Sequence, residues 1–296
     1  MKKLLLGFLA LSALTFTSCS DDDDNTPVST TSNLTLNIEG LENLGASLKY
    51  EGWIIVAGAP VSTGVFSVDD SGTLSQKTFE VEKEDLAAAT KFVLSIEPTN
   101  DTDPAPAATK ILAGDFTDNE ANVSSKGIVG DFSNAAGKFI LATPTDDDDT
   151  NEASGVWFLD NSSGSPAVGL DLPELSAGWK YEGWVVIDGT PVSTGTFTMS
   201  DMADDNAATS PYKGAKGNGP AYPGEDYVMG SVAGIDFPTD LKGKTVVISV
   251  EPSPDNSPNP FTLKPLAHMI ADDAMNHTAL TMGAGPVKEI IGNVVR

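Results

Sequence analysis

The sequence predicts an all-β protein with two tandem β-sandwich (Ig-like) domains built from an internal repeat, the alternative being one pseudo-symmetric sandwich in which the repeats share sheets. Three observations carry that expectation. A hairpin motif, KYEGWIIVAGAPVSTGVF over 49–66, returns as KYEGWVVIDGTPVSTGTF over 180–197. A second unit, 92–110, returns as 246–264, with Glu97, Pro98, Pro104, Pro106 and Lys110 in register with Glu251, Pro252, Pro258, Pro260 and Lys264. Matched spacing at these positions across an irregular stretch points to two copies of one structural unit. Finally, short β-branched and aromatic runs alternate with Gly/Pro turns, and no helical period is sustained.

The elements follow in order. LTLNI (34–38) alternates and predicts a first strand, matched by VGLDL (168–172) ahead of the second hairpin. In the hairpins, Asp188-Gly189 is a strong turn signal, with Ala57-Gly58 at the equivalent place. Pro60 and Pro191 then open the return strands, where a missing N–H is tolerated. Alternation puts Lys49, Glu51, Trp53 and Ile55 on one face and Tyr50, Gly52 and Ile54 on the other. Lys180, Glu182, Trp184 and Val186 oppose Tyr181, Gly183 and Val185 in the same way. Further strands are expected over 73–81, 92–96, 109–113, 245–250, 263–270 and 278–282, with one helical turn over 83–89. A hairpin is expected from 138–143 and 155–159, around an acidic loop at 146–152. The tail 286–296 shows no pattern.

The N-terminus reads as a targeting segment. Lys2 and Lys3 precede an apolar run over 4–16 that is too short to span a bilayer. Phe16-Thr17-Ser18-Cys19 resembles a bacterial lipobox, which implies acylation of Cys19. The SDDDD run at 20–24 resembles the signal that sends some lipoproteins to the cell surface. The expected divisions are a signal peptide (1–19), an acidic and polar tether (20–33), one sandwich (34–135) and a second (136–296) with an inserted loop at 200–229. The expected location is the outer membrane, facing outward, with the membrane engaged through acyl chains. Cys19 is the sole cysteine, so none remains for disulfides, metal or nucleophilic catalysis. A formal charge of −25 disfavours nucleic acid and anionic lipid headgroups as partners.

The repeated pattern also resembles the C-terminal extracytoplasmic domain of the anti-sigma-K factor family. The residues that carry this are YEGWIIVAGAPVSTGVF and SIEPTNDTDPAP with their second copies, over about 34–113 and 168–281. The resemblance implies the fold and, by analogy, an anti-sigma-factor-like sensing or binding role. Members of that family carry a cytoplasmic anti-sigma region and a transmembrane helix. Here a lipoprotein signal stands in that place, so direct binding of a sigma factor is not expected.

Residue types with chemical potential each have a structural explanation. Trp53 and Trp184 fit a sheet core as well as a ligand platform. Glu51, Glu97, Glu182 and Glu251 could form acid/base pairs. Duplication of the whole scaffold favours a structural role for them, each satisfying backbone N–H groups or the Ser/Thr of PVSTG. Tyr50 and Tyr181 complete the repeat-defining set. The acidic runs 146–149 and 201–205 lack calcium-loop spacing and read as solvated loops. His268 and His277 have no Cys partner, so no metal or cofactor is expected.

The inserted loop is the main asymmetry between the copies: Phe66 to Glu97 spans 31 positions, whereas Phe197 to Glu251 spans 54. Long patterned-poor loops are commonly functional, and Tyr212, Tyr222 and Tyr227 make it the candidate binding loop, removable without loss of the fold. The expectation is a lipid-anchored extracytoplasmic binding or sensing protein without enzymatic activity. Its partner would be an envelope protein or a surface polymer. The alternative is a structural envelope lipoprotein with no specific ligand.

Overall fold

The computed structural model describes residues 29–255 and 257–296, and the predicted signal peptide, Cys19 and most of the tether lie outside them. The all-β expectation holds. Strand β1 (Thr31–Ile38) begins inside the expected tether. The hairpin β2 (Leu48–Val56) and β3 (Ala59–Phe66) follows. Its turn residues Ala57 and Gly58 both have positive φ, 50° and 84°. Two such residues in a two-residue loop match the right-handed twist of the flanking strands. A short β4 (Thr78–Glu82), one helical turn α1 (Lys83–Ala88) and a long β5 (Ala89–Pro98) come next. The first half closes with β6 (Lys110–Thr117) and β7 (Glu120–Ser124).

The connecting region supplies β8 (Ala136–Leu141), β9 (Val156–Trp157), β10 (Leu159–Asp160), β11 (Ala167–Val168) and β12 (Leu170–Asp171). β8 and β9 pair as the expected hairpin, Ile140 opposite Trp157. The second copy of the motif is β13 (Trp179–Ile187) and β14 (Thr190–Phe197), with Asp188 and Gly189 again at positive φ. Short strands β15 (Gly224–Glu225), β16 (Ser231–Val232) and β17 (Ile235–Asp236) punctuate the insert and the segment after it. β18 (Thr245–Pro252), β19 (Lys264–Met269), β20 (Leu280–Thr281), β21 (Gly283–Val287) and β22 (Ile291–Val295) complete the chain.

Each repeat orders its strands alike. The second sheet runs β14-β13-β18-β19-β21, and the first runs β3-β2-β5-β6-β7 before continuing into β22-β1-β4. The first sheet curls far enough for its edges to meet: the ring of Phe79 in β4 lies 2.9 Å from the Cβ position of Gly64 in β3. The second sheet packs against strands of the connecting region, where Gly137 of β8 lies against Leu266, Leu170 and Met282.

The division at 135/136 does not separate the strands. β22, from the last residues, sits between β7 and β1, pairing Val294 with Ala121 and with Leu36. One hydrophobic cluster runs from Leu34 to Val294 through both halves, and residues 31–296 form one compact unit. The tail that carries no sequence pattern is therefore an interior strand of the first sheet. Three of the five residues Ile291 to Val295 are apolar, and only Val294 of them is fully buried. Among the described residues no helix is long and apolar enough to cross a membrane.

Ending the chain at Val287 removes the strand between β7 and β1 and exposes Leu36 and Val123. The truncated protein is expected to lose its cooperative thermal transition by circular dichroism. A melt like that of the full chain would show that β22 is dispensable.

Candidate functional site

The repeat motif builds the same polar clamp twice. Trp53 Nε1 donates to Ser95 Oγ at 2.8 Å, and the Ser95 hydroxyl donates to Glu97. The same Glu97 oxygen accepts the N–H of Ala107 at 2.8 Å, while Lys110 Nζ donates to the carbonyl of Ala107 at 2.9 Å. In the second copy Trp184 Nε1 donates to Ser249 Oγ at 2.7 Å, Ser249 donates to Glu251, and Glu251 accepts the Phe261 N–H at 2.8 Å. Lys264 Nζ then takes the carbonyl of Phe261 at 2.5 Å. One peptide residue in each proline-rich segment is thus gripped through its N–H by glutamate and through its carbonyl by lysine. This is the physical reason for the matched Glu-to-Lys spacing.

Both tryptophans and both glutamates are buried, Glu97 and Glu251 to 1% exposure. The sequence-selected residues are therefore scaffold. Tyr50 and Tyr181 stack on Phe66 and Phe197, and their hydroxyls donate to the Glu42 and Pro173 carbonyls. Glu51 accepts the Ser62 hydroxyl at 2.5 Å, and Glu182 accepts that of Ser193. Those serines belong to a β-bulge: the pairing shifts between Gly52 and Trp53, and between Gly183 and Trp184. Gly64 and Gly195 just beyond it carry φ of 122°, so the conserved-in-repeat STG is the chemistry of the bulge.

The inserted loop is anchored rather than free. Tyr227 is fully buried, and its hydroxyl donates to the carbonyls of Val192 and Ser193 at 3.1 and 2.9 Å. Tyr212 is half-buried and packs against Tyr227 and Phe237. Neither can serve as a free binding aromatic. Asp226 accepts Trp157 Nε1 at 2.7 Å and the Thr145 N–H at 2.6 Å, and also takes the Thr145 hydroxyl. The Ser210 hydroxyl bonds Glu225. Removing 200–229 would strip these partners from buried groups, so the expectation of a dispensable loop is corrected.

Tyr222 is the one tyrosine of the three beside an opening. It packs on a small satellite cluster of Ile140, Ala142, Trp157 and Leu159, separate from the main core. This cluster floors a cleft of about 620 Å³ whose rim includes Glu152, Asn161, Lys216, Asn218 and His277. A space of this size with an apolar floor and few polar groups suits a small ligand or part of a larger one. His277 Nε2 lies 3.2 Å from Glu152 Oε2, and the same oxygen accepts the Thr143 N–H at 2.8 Å. His277 sits at φ 56°, fixed by its N–H on the Leu141 carbonyl at 2.9 Å and by Asn161 Nδ2 on its own carbonyl at 2.5 Å. Lys216 pairs with Asp147 at 2.5 Å. Gly219 closes over the indole of Trp157, where a Cβ would stand 2.1 Å from the ring. The acidic loop 146–152 and His277, read separately in the sequence, are thus brought to one rim. The glycines of the insert were the only local signal of this close approach.

Burial raises the Glu251 carboxyl from 4.5 to about 8, and raises Glu182 to about 7. Each keeps one buried oxygen without a partner. Raised acid pKa values mean that this stability is complete below about pH 4.5 and is lost as pH climbs through about 8. The thermal midpoint of the protein is expected to fall between pH 5 and pH 8. Glu251→Gln, which keeps the Ser249 and Phe261 acceptor, should flatten that slope and melt higher than wild type at pH 8. A variant that melts lower at pH 8 would contradict a protonated Glu251.

Comparison with family models, with curated proteins and with solved structures returned no match, so the site is defined by its geometry alone.

Proposed function

We propose that this chain is a lipid-anchored, extracytoplasmic binding protein without enzymatic activity, displayed on the outer membrane and facing outward. The observation that carries the reading is the cleft over Trp157, walled by the insert that distinguishes the second repeat from the first. Its floor is apolar and its rim mixes amide, imidazole, carboxylate and ammonium groups. Glu152 and His277 are already paired, as are Lys216 and Asp147, so the rim presents little net charge to a ligand. An envelope protein or a surface polymer is the partner class. The motif resemblance supports an anti-sigma-factor-like sensing role in which the bound state is passed to another envelope component, without direct contact to a sigma factor. The lipid anchor rests on Cys19 and the apolar segment before it.

The test is photo-crosslinking in cells from an unnatural residue at Asn218, on the exposed rim, with Glu80 on β4 as the control position. Capture of a discrete partner from 218 and not from 80, weakened at least several-fold by Glu152→Gln or His277→Ala, is the expected result. Equal capture from both positions, or none, would favour a structural envelope protein with no specific ligand.

A further inference from the structure

The two repeats close differently after the hairpin. The hydroxyls of Tyr50 and Tyr181 each donate to a carbonyl eight residues back, on Glu42 and Pro173, so 41–44 and 172–175 are the same stretch of the repeat. In the first repeat a tight turn folds over that stretch. Val68 bridges Leu74, and the Ser75 N–H returns to the Ser67 carbonyl at 2.8 Å. Asn43 Nδ2 donates to Asp70 Oδ1 at 2.7 Å, and a Cβ on Gly72 would stand 3.8 Å from the Leu41 carbonyl oxygen. Leu41, Leu44, Val68 and Leu74 are all buried.

The second repeat keeps the hairpin and lacks the turn. Thr198 and Met199 stand where Ser67 and Val68 do, and the chain then enters the insert. The Asp205 N–H returns to the Thr196 carbonyl at 2.8 Å, and its carboxylate accepts Lys180 Nζ at 2.7 Å and the Thr196 hydroxyl at 2.6 Å. Leu172 and Leu175 are half-buried where Leu41 and Leu44 are buried, and Met199 is 49% exposed where Val68 is 3%. These three line a cleft of about 810 Å³, separate from the one over Trp157. The rim differs as well. Glu174, exposed, occupies the place of Asn43, so a carboxylate that accepts replaces an amide that donates. The lysine of the lining, Lys180, is already held by Asp205.

We propose that this cleft receives a turn of a partner protein that carries an aliphatic side chain beside a lysine or arginine. The first repeat is the template for the occupant, because there the same stretch is covered by a turn with Val68 and Leu74 at its base. The exchange of Asn43 for Glu174 sets the charge. Where Asp70 answers a donor in the first repeat, the partner presents a cation to a carboxylate in the second. An uncovered aliphatic patch rimmed by a charge is the anatomy of a protein-docking surface. A second copy of this chain does not fit: its formal charge is −25, and its own turn, VDDSGTL, brings two more carboxylates to Glu174. A neutral polymer offers neither the aliphatic group nor the cation.

The experiment uses the purified full chain with isotope-labelled methionine methyl groups, read by NMR, and two cyclised peptides as probes. One is VDDSGTL, the turn of the first repeat, and the other is the same ring with Asp70→Lys. The lysine ring is expected to shift the Met199 methyl signal saturably and to leave that of Met275, exposed outside the cleft, in place. The native ring should bind about threefold more weakly, the scale of an exposed ion pair. Glu174→Lys should reverse the order of the two rings, and Ser176→Trp, at an exposed position of the lining, should abolish both shifts. No movement of Met199 with either ring in the millimolar range would overturn the proposal. So would equal affinity of the two rings for the wild type, or an order that Glu174→Lys leaves unchanged. A Met199 shift that grows with protein concentration alone would assign the cleft to a second copy and overturn it too.

Discussion

A glutamate carboxyl that ends a central strand, and accepts a peptide N–H ten residues further on, sets the geometry of each half. Glu97 and Glu251 occupy the same place in β5 and β18, and each collects a serine hydroxyl that itself receives an indole N–H. Every buried donor in the chain of contacts is satisfied, so the arrangement is stable only as a unit. Take away the carboxyl, and a serine hydroxyl and a peptide N–H lose their acceptor where water does not reach. The lysine on the carbonyl of the same peptide residue completes the grip. The proline-rich segments can therefore be irregular and still lie in one place.

The two halves use this scaffold to different ends. In the first, the socket of the bulge is filled with an aromatic ring and the sheet is lengthened by three more strands. In the second, the insert takes over: it buries its own Tyr227 against the Val192 and Ser193 carbonyls, threads Asp226 onto Trp157, and leaves a cleft above a satellite cluster. Burial of acids follows from this covering. Glu51, half-buried beside Ser62, and Glu182, buried beside Ser193, are the same residue of the motif in two environments.

Much of the architecture was legible in the sequence, because turn chemistry and alternation are local. The positive-φ pairs at Ala57-Gly58 and Asp188-Gly189, the strands of both motif copies and the hairpin of β8 with β9 follow from adjacent residues. What escaped is long-range. β22 has no alternation to announce it, since its place in the sheet is fixed by neighbours on both sides. The insert looked like a loop because its order comes from Thr145, Trp157 and Val192, far away in the chain. The rim residues Glu152 and His277 lie 125 positions apart in sequence, and only tertiary structure makes them neighbours. Glu51, Glu97, Glu182 and Glu251 were visible as a set, and their partners within the motif made the structural role readable.

The position of β22 also bears on how the molecule can be made. Strands β1 and β7 are synthesised well before their shared partner. The pairing of Leu36 with Val294 joins residues 258 positions apart, and such non-local pairing is slow to form because the loop must be closed before it is rewarded. Until then Leu36 and Val123 have no cover, and the first sheet remains an open edge prone to pairing with other chains. The first sheet cannot be completed before β22 has been made. It stays threadable until β22 is delivered, and it depends on whatever holds exposed strands apart in the meantime.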